Sequence, residues 1–383
     1  MAQKIKITRQ SRYAPLRYEA TRPYAVQLGR LFNSHASGKP AEKRMNFIST
    51  QLMPLVKAAV ERLGKADGPG AGQAEIGNIQ IFGGYLSSGR IIFDVRNELS
   101  RSLLVTDAQD VPCNALTFPC EAFYIHFGYG TGLSDKGLEI EGVFVQHLLA
   151  TPDEPSRLMV DLVPVGYFSA RNFWTLPMGE ALTGISIELS NPNEPLVDAL
   201  DRAISDVVKR NKEMLAQYAE FEHSLSEQYG QVVKVPTPID DLEDKRDLLR
   251  RALQLTTNTL FYLAAEPDDI YEDWDSEAPV DLIQQTHSEK FGTRKTAENT
   301  LSSKGYMKVR YVGSQYAKSS SAKEISDAFS SGRTVQTHFR RGHFRRQPHG
   351  PENSLRKTVF IAPVVVNAGQ GELQGRIYEV GAT

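Results

Sequence analysis

Hydrophobic and polar positions alternate with a period of two through most of residues 76–189. Short runs in this region are rich in β-branched and aromatic residues and are separated by Gly, Pro and Asn clusters, which is typical of strands. The runs are residues 79–82, 90–95, 103–105, 122–127, 138–145, 158–163 and 185–189. This pattern predicts a central antiparallel β-sheet, folded as a sandwich or a half-barrel.

After Asn191 the apolar residues recur at the three- and four-residue steps of a helix. The stripe begins at Leu196 and continues to Tyr229, where Gly230 can end the helix. A second helix is predicted from about Asp241 to Ala265. We expect the two helices to form an antiparallel pair that covers the sheet or packs against itself.

These patterns predict an α+β fold with a central antiparallel β-sheet, a helical pair and a basic C-terminal strand segment. We divide the chain into four segments. Residues 1–75 form a basic arm with a short helical region, and residues 76–190 form the β scaffold. Residues 191–285 hold the helical hairpin and an acidic loop, and residues 286–383 form a basic C-terminal β segment with strands near 306–312 and 357–367.

The formal net charge of −2 conceals a strong asymmetry along the chain. Residues 1–45 carry ten Lys and Arg against two acids, and residues 286–360 carry fifteen against five. Residues 46–285 carry eighteen against thirty-seven. Basic ends around an acidic middle indicate either docking within the chain or a face that binds a polyanion.

Both basic ends interleave arginine with aromatic residues or histidine. Near the N-terminus the candidate nucleic-acid ligands are Arg9, Arg12 and Arg17, which alternate with tyrosines. The densest run is residues 336–351, where the candidates are Arg340, Arg341, Phe344, Arg345 and Arg346. Guanidinium groups bind phosphate oxygens in two-point fashion, and an aromatic ring can stack on a base. The residues therefore predict binding of RNA or single-stranded DNA.

Two alternatives remain open for residues 336–351. His338 and His343 could serve as the acid and base of a metal-independent endoribonuclease or toxin, with arginine stabilising the phosphoryl charge. The stretch could instead dock on the protein's own acidic loop, which spans residues 266–281. The same loop is a possible protein-partner site through Glu266, Asp268, Asp269, Glu272, Asp273 and Asp275. The N-terminal arginines could likewise pack on an acidic surface of the chain.

The run Arg340-Arg341-Gly342-His343-Phe344-Arg345-Arg346-Gln347-Pro348-His349-Gly350-Pro351, followed by Leu355-Arg356-Lys357, resembles a C-terminal motif of uncharacterised bacterial and mobile-element proteins. In that group Phe344 is often Trp and His349 is often Tyr. The resemblance covers about the last 35 residues. It implies a recurrent module and a plasmid, phage or defence context, and it assigns no catalytic residue.

Several classes of protein are disfavoured by the sequence. The two cysteines, Cys113 and Cys120, have no second Cys or His pair nearby, so neither a zinc site nor another metal or cofactor site is predicted. Reduced thiols are typical of a cytoplasmic protein. No apolar run approaches the ~18 residues of a membrane span, so no membrane association is expected.

Overall fold

The computed structural model describes residues 11–22, 24–36, 39, 43, 46–62, 71–108, 111–135, 138–150, 154–166, 184–232, 241–319 and 338–366. Its α-helices are α1 (Ala14–Thr21), α2 (Ala25–Ala36), α3 (Met53–Arg62), α4 (Ala71–Ser87), α5 (Asn97–Leu104), α6 (Leu196–Tyr229), α7 (Arg246–Ala265), α8 (Val280–Thr286) and α9 (Phe291–Ser303). A π-helical turn, Ile48–Leu52, precedes α3. None of the described helices has the length and apolar composition of a membrane span.

The strands are β1 (Ile92–Val95), β2 (Thr106–Asp107), β3 (Ala122–His126), β4 (Ser134–Asp135), β5 (Leu138–Leu148), β6 (Arg157–Pro164), β7 (Ile185–Glu188), β8 (Ile270–Trp274), β9 (Lys308–Val312), β10 (His338–Arg340), β11 (Gly342–His349), β12 (Leu355–Ile361) and β13 (Val364–Val366). The central sheet has the order β7-β6-β5-β3-β1-β9-β8, and β4 pairs with β5. Two smaller sheets, β12-β11-β2 and β10-β13, complete the described strands.

The α+β class is confirmed, but the central sheet is mixed rather than antiparallel. Strand β1 runs parallel to both β3 and β9, whereas β5, β6, β7 and β8 pair antiparallel with their neighbours. Parallel pairing arises because helix α5 follows β1 and carries the chain back before β3 begins. Strands β8 and β9 also join the sheet from residues beyond 190, so the scaffold is not limited to residues 76–190.

Alternation along the strands builds two different cores on the two faces of the central sheet. On one face Phe123, Ile125 and Val143 belong to a cluster with α6 and α7. On the other face Tyr124 and Phe144 pack with Tyr13, Leu16, Phe82 and Tyr85, which belong to the N-terminal helical region. The sheet is therefore a middle layer between helices, and the predicted sandwich of sheets or half-barrel is wrong.

Two of the runs that predicted strands are helical. Residues 79–82 lie in α4, where Ile79, Phe82 and Tyr85 recur at three-residue steps and are all buried. Leu103 and Leu104 form the end of α5, in which Leu99 and Leu103 share the buried face, and Val105 is the residue that ends the helix. Short apolar runs fit either period, and packing against the sheet selects the helix in both places.

The predicted helical pair is confirmed as α6 and α7, whereas the N-terminal arm and the acidic loop differ from expectation. Residues 14–21 and 25–36 form α1 and α2 instead of an irregular arm, because Leu16 and Tyr18 are buried against the sheet. Part of the acidic loop is β8, which pairs antiparallel with β9. The strand predicted at 357–367 is interrupted before Val364, where Pro363 removes a backbone donor.

Candidate nucleic-acid interface

Strands β11 and β12 form an antiparallel hairpin that we call the basic hairpin (residues 342–361). Its register pairs His343 with Ile361 at one end and His349 with Leu355 at the other. The turn at the tip contains Gly350, whose φ of 78° favours glycine. Residues 345–357 are exposed throughout, so the distal half of the hairpin extends away from the core.

Aromatic packing anchors the other half of the hairpin. The Phe344 ring lies 5.3 Å from the ring of Phe261 on α7 and 5.3 Å from that of Phe360 on β12. Phe360 in turn meets Tyr262 edge-on at 5.2 Å. Parallel pairing of Gly342 with Thr106 joins the hairpin to β2. The base of the hairpin is therefore held by the same helix that covers the central sheet.

The register places cations on both faces of the exposed half. Directly paired residues of antiparallel strands share a face, and neighbours along a strand point to opposite faces. Arg346 pairs with Thr358 and Pro348 with Arg356, so Arg346 and Arg356 share one face. Arg345 and Lys357 share the other, since Arg345 pairs with Val359 and Gln347 with Lys357.

These cations are not neutralised within the described part of the chain. No described carboxylate forms an ion pair with Arg341, Arg345, Arg346, Arg356 or Lys357. Arg346 donates only a long 3.5 Å hydrogen bond to Asn114, and Arg356 donates to the carbonyl oxygens of Asn353 and Leu355. The described hairpin residues also make no hydrogen bond with residues 266–281, so docking on the acidic loop is not observed for them.

Phe344 is not placed to stack on a base. Its side chain is only 7% exposed and belongs to the main core, so its burial does not favour the prediction that it binds nucleic acid. The adjacent Arg345 and Arg346 are exposed, and His343 is half-buried. His338 and Arg340 lie on β10, which pairs with β13, and their side chains fall outside the described residues.

The N-terminal arginines are occupied within the protein. Arg17 is 3% exposed and forms an ion pair with the fully buried Glu141, so it is not available to a phosphate. Arg12 lies 3.3 Å from Asp94, and its backbone N–H donates to Glu277 over 3.4 Å. The alternative in which this segment packs on the chain's own acids is therefore confirmed for these two arginines. Arg9 lies outside the described residues.

A polar cluster beneath α1 explains why these arginines are held. Tyr13 donates a 2.7 Å hydrogen bond to Asp94, and burial raises the pKa of Asp94 although Arg12 opposes the shift. His126 pairs with Asp94 in the β1–β3 register and is completely buried. Burial, reinforced by Arg12 and Arg17, lowers the pKa of His126 to about 3, so the ring is neutral at physiological pH.

The acidic loop is a structural element in part. Asp269 is 7% exposed and accepts hydrogen bonds from Tyr262 at 2.7 Å and from the backbone of Gln315 at 2.6 Å. Asp275 is 2% exposed and accepts from the backbone of Glu277. These two are therefore removed from the predicted partner site. Asp268 and Glu272 are exposed, and Glu266 and Asp273 are partly exposed.

Sequence reasoning missed two residues of the interface, Arg356 and Lys357. They lie in the C-terminal motif, but only the hairpin register shows that they stand beside Pro348 and Gln347. The tight turn signal His349-Gly350-Pro351 between two strand-like runs could have predicted this pairing. Within the described residues, no group of three metal-ligating side chains comes together.

The fold and this surface define an α+β protein that presents a basic hairpin. A family model described as AcrVA2-like, anti-CRISPR type V subtype A2 family, matches residues 93–368, and the chain belongs to this family. The family associates the protein with phage defence and mobile elements. No curated protein sequence matches the chain. A crystal structure of AcrVA2 is similar at 13% identity and a TM-score of 0.43, covering 91% of this chain and 96% of that one.

Proposed function

We propose that this protein counteracts a type V CRISPR system by binding nucleic acid, either RNA or single-stranded DNA, through the basic hairpin. The observation that carries the proposal is a set of exposed cations without carboxylate partners among the described residues, namely Arg341 directly before the hairpin and Arg345, Arg346, Arg356 and Lys357 on it. Such a density of unpaired charge raises the local concentration of polyanions. Among the described residues it supplies no ion pair that stabilises the fold.

The arrangement suits phosphates better than a second protein surface. Three of the four cations on the distal half are arginines, whose planar guanidinium binds two phosphate oxygens at once. They stand on both faces of a two-stranded ribbon, so a strand can be contacted from either side. A protein interface typically has an apolar centre, and the described distal half offers only Leu355 as an exposed large apolar side chain.

The family supplies the context in which such binding inhibits. RNA-guided effectors hold guide RNA in a positively charged channel and displace one strand of the target as single-stranded DNA. A protein that binds the phosphates of the guide RNA or of the displaced DNA strand would prevent the effector from binding that strand. Because phosphate contacts carry no sequence information, the hairpin is expected to bind different sequences with similar affinity.

The test is a comparison of charge-matched double variants in a fluorescence anisotropy assay with a labelled single-stranded RNA and its DNA equivalent. Arg345→Gln/Lys357→Gln removes the charges of one face, and Arg346→Gln/Arg356→Gln removes those of the other. Lys209→Gln/Arg210→Gln on the exposed side of α6 removes the same charge at a distance and serves as the control. We expect both hairpin variants, but not the control, to bind at least tenfold more weakly.

Equal affinity of all three variants and the wild type would contradict the proposal. So would failure of the wild type to bind either strand at low salt, which would leave the exposed acids Asp268 and Glu272 as the better candidates for a partner surface. Electrophoresis of the RNA from the same samples tests the endoribonuclease hypothesis, because it distinguishes cleavage from binding alone. A nuclease would cut the strand, and His343→Ala would abolish cutting while keeping affinity.

A further inference from the structure

A pocket of about 450 Å³ opens beside the base of the basic hairpin. It lies between the end of α5, strand β2, the start of α6 and the middle of α7, and Arg341, which directly precedes the hairpin, is also in its lining. Strand β2 pairs with β11, so the pocket and the hairpin are connected through one small sheet. The volume falls within the range of about 300–1,000 Å³ that is usual for small-ligand sites.

Apolar and polar residues line the pocket in nearly equal numbers, and the polar ones include Asp201 and Arg250, which form an ion pair. Leu104, Leu196 and Leu200 supply apolar surface, and Asp107, Gln254 and Thr257 lie among them. Gln254 donates from Nε2 to the carbonyl oxygen of Thr106 over 2.8 Å, which leaves its Oε1 as an acceptor. A nucleobase presents matching chemistry, because it has flat apolar faces and an edge of hydrogen-bond donors and acceptors.

Arg341 gives the pocket a direct relation to the hairpin. Arg341 is one of the residues that line the pocket, and its planar guanidinium can stack on a base or bind the adjoining phosphate. Arg345 follows four positions along the chain, which corresponds to roughly 13 Å of extended backbone. That distance is spanned by about four stacked nucleotides of one strand. A strand on the hairpin could therefore place one base in the pocket.

We infer that this pocket receives one unstacked base of a single-stranded nucleic acid whose phosphates lie on the basic hairpin. The inference rests on the proposed function and narrows it, because a base paired in a duplex must first leave the stack. The protein should accordingly prefer single strands to duplexes of equal length. Each assay is run with RNA and with DNA of the same sequence, which shows whether the bound strand is RNA or single-stranded DNA.

The experiment compares a natural dodecamer with one in which tetrahydrofuran replaces every nucleoside, so that the phosphates remain and the bases are absent. With the wild-type protein we expect the abasic strand to bind about 10- to 100-fold more weakly, as expected for losing a bound base. Val197→Trp narrows the pocket from a half-buried position in the first turn of α6. Ser205→Trp, an exposed position on the same helix, is the matched control.

If the inference holds, Val197→Trp lowers the affinity for the natural strand to that for the abasic strand and leaves the abasic affinity unchanged. Ser205→Trp behaves as the wild type. Equal binding of the two strands by the wild type overturns the inference even if Val197→Trp fails to fold. In that case salt-sensitive, hairpin-dependent binding would still support the proposed function. If the wild type binds neither strand, both this inference and the proposed function are overturned.

Discussion

Replacing Phe344 by alanine distinguishes a core residue from a base-stacking residue. The ring is 7% exposed and has two aromatic neighbours, each with its centroid at 5.3 Å. Truncation of a buried phenylalanine costs about 3–5 kcal/mol, because apolar surface and packing are lost and a cavity remains. We therefore expect Phe344→Ala to lower the free energy of unfolding by this amount, measured by urea denaturation.

The next residue on the strand provides the control. Arg345 is exposed on the opposite face, so Arg345→Ala should change the free energy of unfolding by less than about 0.5 kcal/mol while weakening nucleic-acid binding. Phe344→Leu should cost less than Phe344→Ala because much of the volume is kept. The reasoning is refuted if Phe344→Ala retains wild-type stability and loses binding, since the ring would then serve the ligand.

Three further substitutions test the packing that positions the hairpin and the sheet. Glu141→Gln removes the buried carboxylate that forms the ion pair with Arg17 and should cost about 3–5 kcal/mol in urea unfolding, a loss that Arg17→Met in the same chain should partly restore. Burial raises the pKa of Asp161 from 3.8 to about 7. The native protein therefore loses stability as the pH rises between these values, because the buried carboxyl must ionise. The free energy of unfolding of Asp161→Asn should equal that of the wild type near pH 4 and exceed it by at most roughly 4 kcal/mol at pH 8. A difference that does not change with pH would contradict this. Gly342→Ala would place a Cβ 2.6 Å from the Thr106 hydroxyl and should cost about 1–3 kcal/mol, whereas an unchanged melting temperature would show that β2 and β11 can separate freely.

Composition as well as alternation predicted the inner strands, because strands that are buried on both faces are apolar on both. Phe123, Tyr124 and Ile125 are all buried, yet they contribute to different cores, and the β-branched and aromatic composition still indicates a strand. The parallel partners of β1 could not be predicted. They depend on β9, which is far along the chain, and on α5, whose apolar residues also fitted a strand.

The N-terminal arginines show why local charge alone does not identify a binding surface. Arg17 and its partner Glu141 are 124 positions apart, so no local pattern reveals that the arginine is paired and buried. The exposure of the hairpin cations could be predicted more readily from the sequence, since they have no such distant partner within the described residues. Even there, the register of β12 was needed to add Lys357 to the surface.

The measurement that most directly tests the binding claim is the salt dependence of affinity for a single-stranded RNA. Each phosphate contact with a single strand contributes a slope of about −0.7 in a plot of log K against log salt concentration. The five exposed cations therefore predict a slope of up to about −3.5 for the wild type. Replacing Arg345, Arg346, Arg356 and Lys357 together by glutamine should reduce it by about 2.8. A wild-type slope near zero, or one that the four substitutions leave unchanged, would contradict the claim that this hairpin binds nucleic acid.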